Sequence, residues 1–385
     1  MHGRRVAITG AAILSAAMVV SGCSSSKDSG TSASSSDAIT IANIQPLTGA
    51  SGQYGKQATE GAEVAVDIFN KAGGVLGKQL KLESADDASV ATQSVSLMQK
   101  YGSDKSIPAI IGPTYSSNFV ADSPFAEKYG VVTISAGSTA PWKGDFNKWT
   151  FRSSVAGAVY LPQLVDAVVA KDKVKTVAQV WAIDNQALAQ QGKLLDTIFP
   201  QKGVKVLTDQ QANNATTDFS SQITAIMKDP PDMVTIGLIT NGAALLMQQM
   251  RSAGYKGVFM ADGNTLLDDS LYDLSHGAAD GLIVPSSFDA SSSDPQVKAF
   301  VAAFKERFNE TPNAQEAFGY DAIALIVDAM KRANTTSDRK AIRDALGSTS
   351  GFQGVQGSFT FHDSGDNTTP TVQILKLTAD GFVTY

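Results

Sequence analysis

Short β-rich runs alternate with apolar stripes of helical period along most of this 385-residue chain, and that alternation leaves few folds open. Strands are expected at 39–44, 79–84, 108–112, 131–134, 176–182, 203–208, 233–239 and 257–260. Helices are expected between most of them, at 54–72, 89–101, 116–128, 158–170, 186–200, 217–228 and 241–253. Strand, helix and strand repeated in this way give doubly wound parallel sheets covered by helices. The first unit illustrates the pattern. Ile39, Ile41 and Ile44 mark a strand, a glycine-punctuated turn follows, and from Tyr54 onward Ala58, Ala62, Ala65, Ile68 and Phe69 recur at helical spacing. Gly73, Gly74 and Gly77 stop the helix, and Leu80 and Leu82 alternate with polar residues as the next strand. The loop after the first strand lies where open parallel sheets bind ligands, at a strand's carboxyl end.

The rhythm pauses between 151 and 157, and a new series begins with the helix carrying Leu161, Leu164, Val165 and Val168. Residues 280–290 make another strand-like crossing, followed by helices at 295–309 and 314–333. The second of these has Ala322, Leu325, Ile326 and Ala329 on one stripe, an ordinary core-facing pattern. Phe359 and Phe361, then Val372, Ile374, Leu375 and Leu377, indicate closing strands. A chain of this length with 43% apolar and 18% charged residues can bury a large core divided between two domains.

The start of the chain is different. Arg4 and Arg5 precede an apolar run from Val6 to Val20, then Ser21, Gly22 and Cys23, which reads as a secretory signal peptide over residues 1–22. Cys23 is the only cysteine, so no disulfide can form within the chain, and lipid attachment explains it better than redox chemistry. Residues 23–37, rich in serine and without apolar periodicity, suit a flexible tether. The formal charge of -6 becomes more negative when Arg4 and Arg5 are removed with the signal, which argues against nucleic acid as a partner.

Three separate segments resemble the leucine/isoleucine/valine-binding protein family of bacterial ABC importers, the type I periplasmic solute-binding proteins. The first comprises P-L-T-G from Pro46, Tyr54-Gly55, G-A-E-V-A-V from Gly61, N-K-A-G-G-V-L-G-K from Asn70, and the acidic pair Asp86 and Asp87. The second comprises I-I-G-P-T-Y-S-S from Ile110, S-A-G-S-T-A-P from Ser135, and Phe151-Arg152; the third is F-G-Y-D-A-I-A-L-I-V-D-A-M-K-R-A from Phe318. The V-S-G-C run ending at Cys23 likewise resembles the lipobox of bacterial lipoproteins, in which the cysteine is acylated. The resemblance implies the type I periplasmic-binding-protein fold: two Rossmann-like lobes with parallel sheets, joined by three crossovers and closing on a small molecule. The pauses then assign 38–156 and 286–358 to lobe 1, and 157–285 and 359–385 to lobe 2.

Ser116 and Ser117 follow strand 108–112 and precede a helix, so one serine can cap that helix while backbone N–H groups point at the cleft. Ser135–Thr139 follow the next strand in the same way, and both groups could equally do no more than cap and turn. By resemblance, Ser116 and Thr139 would hold the α-carboxylate of an amino acid, with Gly137 supplying backbone contacts and Ser117 and Ser138 beside them. Tyr54 would lie against the ligand. Lobe 2 departs from the family pattern. After the strand ending near Trp181 the chain reads W-A-I-D-N-Q-A-L without the family's tyrosine, and Ile239, Thr240 and Asn241 stand where branched-chain binders place another. Trp181, Asp184 and Asn241 are the cleft candidates there, and the acid that pairs with a ligand ammonium falls at Asp262.

Enzyme signatures are missing. There is no G-x-S-x-G elbow, and the glycine-lysine pairs at Gly55, Gly77 and Gly192 lack the P-loop pattern. His276 and His362 lie in expected loops without metal-ligand spacing, and Asp86 and Asp87, neighbours at a strand end, should point apart. The expectation is a monomeric solute receptor without cofactor or metal. The resemblance adds a lipid anchor on the extracytoplasmic face of the cell membrane and an ABC permease and ATPase as partners, with a sensory module for a membrane receptor or kinase as the alternative.

Overall fold

The computed structural model describes residues 38–139, 148–268, 270–361, 365–370 and 372–385. The expected signal peptide, the tether, Cys23 and His362 lie outside them. Among the described residues, one parallel sheet runs in the order β2-β1-β3-β4-β5, built from β1 (Ile39–Gln45), β2 (Leu80–Asp86), β3 (Ala109–Ile111), β4 (Val132–Ser135) and β5 (Thr150–Arg152). Helices α1 (Gly52–Lys71), α2 (Ala91–Ser103) and α3 (Ser116–Tyr129) connect its strands. Alternation along β1 explains the layers. Ile39 and Ile41 pack with Ala58, Ala62 and Ala65 of α1, while Ala42 and Ile44 face Met98 of α2 and Ala126 of α3.

The chain then enters a second sheet through α4 (Gly157–Asp172). Its parallel part comprises β6 (Thr176–Ala182), β7 (Lys205–Ala212), β8 (Met233–Gly237), β9 (Val258–Ala261) and β10 (Ile283–Ser286). Helices α5 (Gln186–Gln201), α6 (Ser220–Ile226), α7 (Thr240–Ser252) and α8 (Ser270–Leu274) lie between those strands. After β10 the chain returns to the first lobe as α9 (Pro295–Phe308), α10 (Ala314–Ala333) and α11 (Arg339–Gly347), then a hairpin of β11 (Phe352–Gly354) and β12 (Gly357–Phe359). It ends on the second sheet as β13 (Gln373–Thr378) and β14 (Gly381–Thr384), giving the order β14-β13-β10-β9-β8-β6-β7. The two closing strands are antiparallel, so the second sheet is parallel except at this edge. A short β13–β14 turn allows nothing else, because a parallel pair would need a crossover between them.

Two features fix how the pieces meet. Helix α10 lies directly on α1: a Cβ at Gly319 would stand 1.8 Å from the Ala58 carbonyl oxygen, and one at Gly61 would stand 1.8 Å from that of Glu316. Only glycine permits that approach. The first two crossovers meet at one side chain of the first lobe. Gln356 Nε2 donates to the Ser153 carbonyl at 3.1 Å and to Asp321 Oδ2 at 3.0 Å, and its Oε1 accepts from Ser287 Oγ at 2.6 Å. Ser153 lies on the first crossover, Ser287 on the second, and Gln356 in the β11–β12 turn that precedes the third. Asp321, fully buried, also accepts from the backbone N–H groups of Val355 and Gln356 at 2.9 and 3.1 Å. Replacing Gln356→Leu leaves several buried partners bare, and the expected loss is roughly 1–3 kcal/mol for each. Urea denaturation checks this; a midpoint equal to that of the parent would mean that the crossovers do not depend on this junction.

Candidate functional site

The carboxyl ends of both sheets face one cavity, and two loops of the first lobe build its floor. Gln45, at the end of β1, accepts with Oε1 from the Thr114 backbone N–H at 2.9 Å and from the Thr114 hydroxyl at 2.7 Å. Ser135, at the end of β4, donates to the Pro113 carbonyl at 2.6 Å and accepts from the Ser138 N–H at 3.0 Å. The loops after β3 and β4 are thereby tied side by side. Gly137 lies in the second with φ +149°, and a Cβ there would come within 2.5 Å of Thr114 Cγ2. Arg152 and Ser154 fix the far side of that loop by donating to the Ser138 carbonyl at 3.0 and 2.6 Å, and buried Arg152 also pairs with Asp366.

On this floor Ser116 and Thr139 present their hydroxyls. Ser116 Oγ accepts from Ser138 Oγ at 3.1 Å, and Thr139 Oγ1 accepts from Gln191 Nε2 at 2.8 Å. Because both hydroxyls accept, each keeps its own hydrogen to donate. The expectation that a serine caps the following helix is corrected. Tyr115 holds the N-cap position with no side-chain cap, and Ser116 is the first helical residue, so the first N–H groups of α3 stay available.

The lobes touch across the cavity. The Tyr54 hydroxyl lies 3.2 Å from Thr240 Oγ1 and donates to the Thr265 carbonyl at 3.0 Å, and Gln53 Nε2 donates to Asp268 Oδ2 at 2.9 Å. Gln191 joins the same set, because it projects from lobe 2 onto Thr139 and also donates to the Tyr160 hydroxyl at 2.7 Å. The cavity between the lobes holds about 40 Å³, less than an amino acid fills.

Tyr54, Ser116, Gly137 and Thr139 therefore line the cavity. The other expected residues stand elsewhere. Ser138 lies beneath the floor as a hydrogen-bond organiser, and Ser117 sits half-buried beside the Tyr115 hydroxyl. Trp181 is a core residue: its ring packs where a Cβ at Gly192 would stand 2.8 Å away, and its Nε1 donates to Asp209. The Asp184 carboxylate is turned to Asn214, accepting from its N–H at 3.1 Å and its Nδ2 at 3.0 Å. Asn241 is exposed on α7, one residue past the position that faces the cleft.

Asp262 lies one layer behind the cavity wall. It is buried, neither carboxyl oxygen has a hydrogen-bond partner, and desolvation pushes its pKa well above the ordinary carboxylate range. Gly237 leaves it room, since a Cβ there would meet Asp262 Oδ2 at 2.2 Å.

Lobe 2 lines the cavity with Asn185, Leu188, Ile239 and Thr265, and α10 contributes Gln315, whose buried Oε1 has no partner. Reading outward from strand ends could have found Asn185 and Ile239. Gln315 gave no such signal, because α10 reads as a core helix and only its first turn reaches the cleft.

Two α/β lobes closing over a floor of hydroxyls and free amide hydrogens define a class of protein, the small-molecule binders that clamp a solute between hinged halves. Comparison with known proteins agrees. Residues 38–381 match the family model for periplasmic binding proteins. A Leu/Ile/Val-binding protein homolog from Brucella melitensis is 28% identical, covering 88% of this chain and 91% of the relative. A leucine-, isoleucine-, valine-, threonine- and alanine-binding protein from Pseudomonas aeruginosa is 28% identical, covering 86% and 87%. The solved leucine-binding protein LivK from Thermotoga maritima superposes with a TM-score of 0.82 at 25% identity, covering 90% and 97%. A solute-binding protein from R. palustris in complex with benzoate shares the fold, with a TM-score of 0.80 at 20% identity and coverage of 90% and 95%. The chain belongs to the periplasmic binding protein family, whose members bind solutes and are not enzymes.

The unpartnered acid generates a prediction. Asp262 keeps its proton when folded and loses it when unfolded, so the folded state binds more protons and stability falls as pH rises above the ordinary carboxyl range. Asp262→Asn keeps the shape and removes that cost. Its gain in melting temperature over the parent should be near zero at about pH 4 and grow toward about pH 8. Parallel melting curves for the two proteins across that range would mean that Asp262 is ionised in the fold.

Proposed function

We propose that this chain is the lipid-anchored, extracytoplasmic solute receptor of an ABC importer, acting as a monomer. In this reading it takes an amino acid of branched-chain type, or a related small carboxylate or amide, between its lobes and delivers it to the permease. The observation that carries the ligand reading is the polarity of the cleft. Ser116 and Thr139 both accept hydrogen bonds and line the cavity, so each keeps a hydrogen to donate, beside the free N–H groups that open α3. Such a floor grips a carboxylate, because donors aimed at one point stabilise an anion that water would otherwise solvate. Across the cavity the Thr265 hydroxyl is unpartnered and the Asp262 carboxyl stands behind the wall, while Gln315 Oε1 is an unpartnered acceptor of lobe 1 beside Gly137. A molecule with an anionic end and an N–H-bearing end satisfies both, and an α-amino acid is the simplest. The names of the relatives support the branched-chain class.

Closure follows from the same geometry. A ligand favours the closed form only through contacts with both lobes together, so grip at the lobe 1 floor must be matched by contact with Ile239, Asn185 or Thr265. Calorimetry with leucine, isoleucine, valine and benzoate tests this, with the three amino acids expected to bind. Ser116→Ala should weaken the tightest of them by about 1.5–3 kcal/mol, roughly ten- to hundredfold, the usual worth of a hydrogen bond to a charged group. An unchanged affinity would remove Ser116 from the anion grip, and binding of carboxylate-free molecules alone would overturn the reading. The anchor rests on the V-S-G-C sequence before Cys23. Mass spectrometry of the protein from a membrane fraction should find an acylated Cys23 at the amino terminus, and an unmodified cysteine would refute the lipoprotein assignment.

A further inference from the structure

A carboxylate held in the cleft exchanges water for neutral groups, because among the described residues no lysine, arginine or histidine lines the cavity. An anion so placed is costly to desolvate, and a cation close behind the wall would offset that cost. Two arginines are buried among the described residues, Arg152 and Arg339. Arg339 is committed elsewhere. Its guanidinium donates to the carbonyls of Gly102, Ile107 and Tyr129 at 2.8, 2.9 and 3.2 Å, around the amino end of β3 and the carboxyl end of α3, on the side of the sheet away from the cleft. Arg152 ends β5 under the cavity floor, and none of its side chain is exposed.

We propose that Arg152 is a positioning residue for the ligand and supplies its counter-charge from beneath the floor, through the Ser138–Thr139 peptide, with Asp366 holding that charge in check. The proposal rests on the carboxylate reading above.

The peptide gives the route. Arg152 Nη1 donates to the Ser138 carbonyl at 3.0 Å, and Ser154 Oγ donates to the same oxygen at 2.6 Å. In a planar trans peptide the N–H stands opposite the carbonyl, so pinning the Ser138 oxygen below turns the Thr139 N–H to the other side, where Thr139 lines the cavity. No group among the described residues accepts from that N–H. The peptide is thus a dipole with its negative end on the guanidinium and its positive end at the ligand. The Ser138 hydroxyl, donating to Ser116 Oγ at 3.1 Å, leads from the same residue to the other arm of the grip.

Asp366 sits on the far edge of the cation. Its carboxylate accepts from Arg152 Nε and, at 3.3 Å, from Nη2, which leaves Nη1 for Ser138. Its side chain is 23% exposed, so water screens the acid more than it screens the buried guanidinium. The pair is neutral in sum and turns its positive end to the floor. The guanidinium also acts on the buried Tyr160 hydroxyl, which accepts from Gln191, the residue bonded to Thr139.

Calorimetry on the parent and its variants tests this, with leucine as the probe, or benzoate if leucine does not bind. Arg152→Met should weaken binding about tenfold. Asp366→Asn keeps the shape of the acid and removes its charge, so it should lower the melting temperature and yet tighten binding about three- to tenfold, the effect of a unit charge roughly 10–15 Å away at an effective dielectric constant of about 20. A pair that only braced the loop would make both substitutions weaken binding, so an Asp366→Asn affinity equal to or below that of the parent overturns the proposal. Arg152→Lys, which keeps the charge, should bind more tightly than Arg152→Met, and equal affinities would likewise overturn it. Should either neutral variant fail to fold, the other comparison decides. A parent that binds neither leucine, isoleucine, valine nor benzoate removes the carboxylate reading and this proposal together, whereas a parent that binds them and variants of the wrong sign remove the proposal alone.

Discussion

The junction at Gln356 is the constraint on which the two-lobed design rests. A chain that passes between lobes three times has three connections that could each drift, and every one must bend when the clamp opens. One carboxamide, bonding Ser153 and Ser287 as well as Asp321 of α10, ties the first two together at the hairpin that leads into the third. The joint is polar and buried, which makes it specific: a carboxamide satisfied on both sides has one arrangement, whereas an apolar contact could slide. Asp321 adds order at some cost, because burial pushes its carboxyl up to about 7 even with three donors around it.

The close contact of α1 and α10 does for the first lobe what the joint does for the whole. Where Gly61 and Gly319 let backbone touch backbone, a segment that returns after a long excursion through the other lobe is held against the first helix of the fold. Each helix also sends its first turn to the cleft, carrying Tyr54 and Gln315. Packing deep in lobe 1 therefore sets the placing of two groups at the ligand cavity.

The architecture was largely legible because its signal is periodic. Strand β1 was expected at 39–44 and spans Ile39–Gln45; β6 was expected at 176–182 and spans Thr176–Ala182. What escaped had no room for periodicity: β5 has three residues, α8 has five, and α11 follows a loop without an apolar stripe long enough to read. The lobe 1 floor was legible for a different reason. A strand end followed by small polar residues and a helix start leaves few directions for Ser116 and Thr139 to point. Lobe 2 was not, because a loop residue's direction depends on partners distant in sequence: Asp184 turns to Asn214, and Trp181 faces inward to Asp209. A one-residue step separates exposed Asn241 from Thr240 at the cleft, and chain order carries no information on that step.

The hydrogen bonds that join the lobes have a cost for the cargo. Tyr54 is already engaged with Thr240 and Thr265, and Thr139 with Gln191, so an arriving molecule must break some of these bonds before it makes its own. One lobe thus competes with the passenger for the other. Part of the gross attraction between protein and solute is spent displacing the self-contacts, which holds the net grip below what the number of polar groups would suggest and leaves the solute easier to surrender.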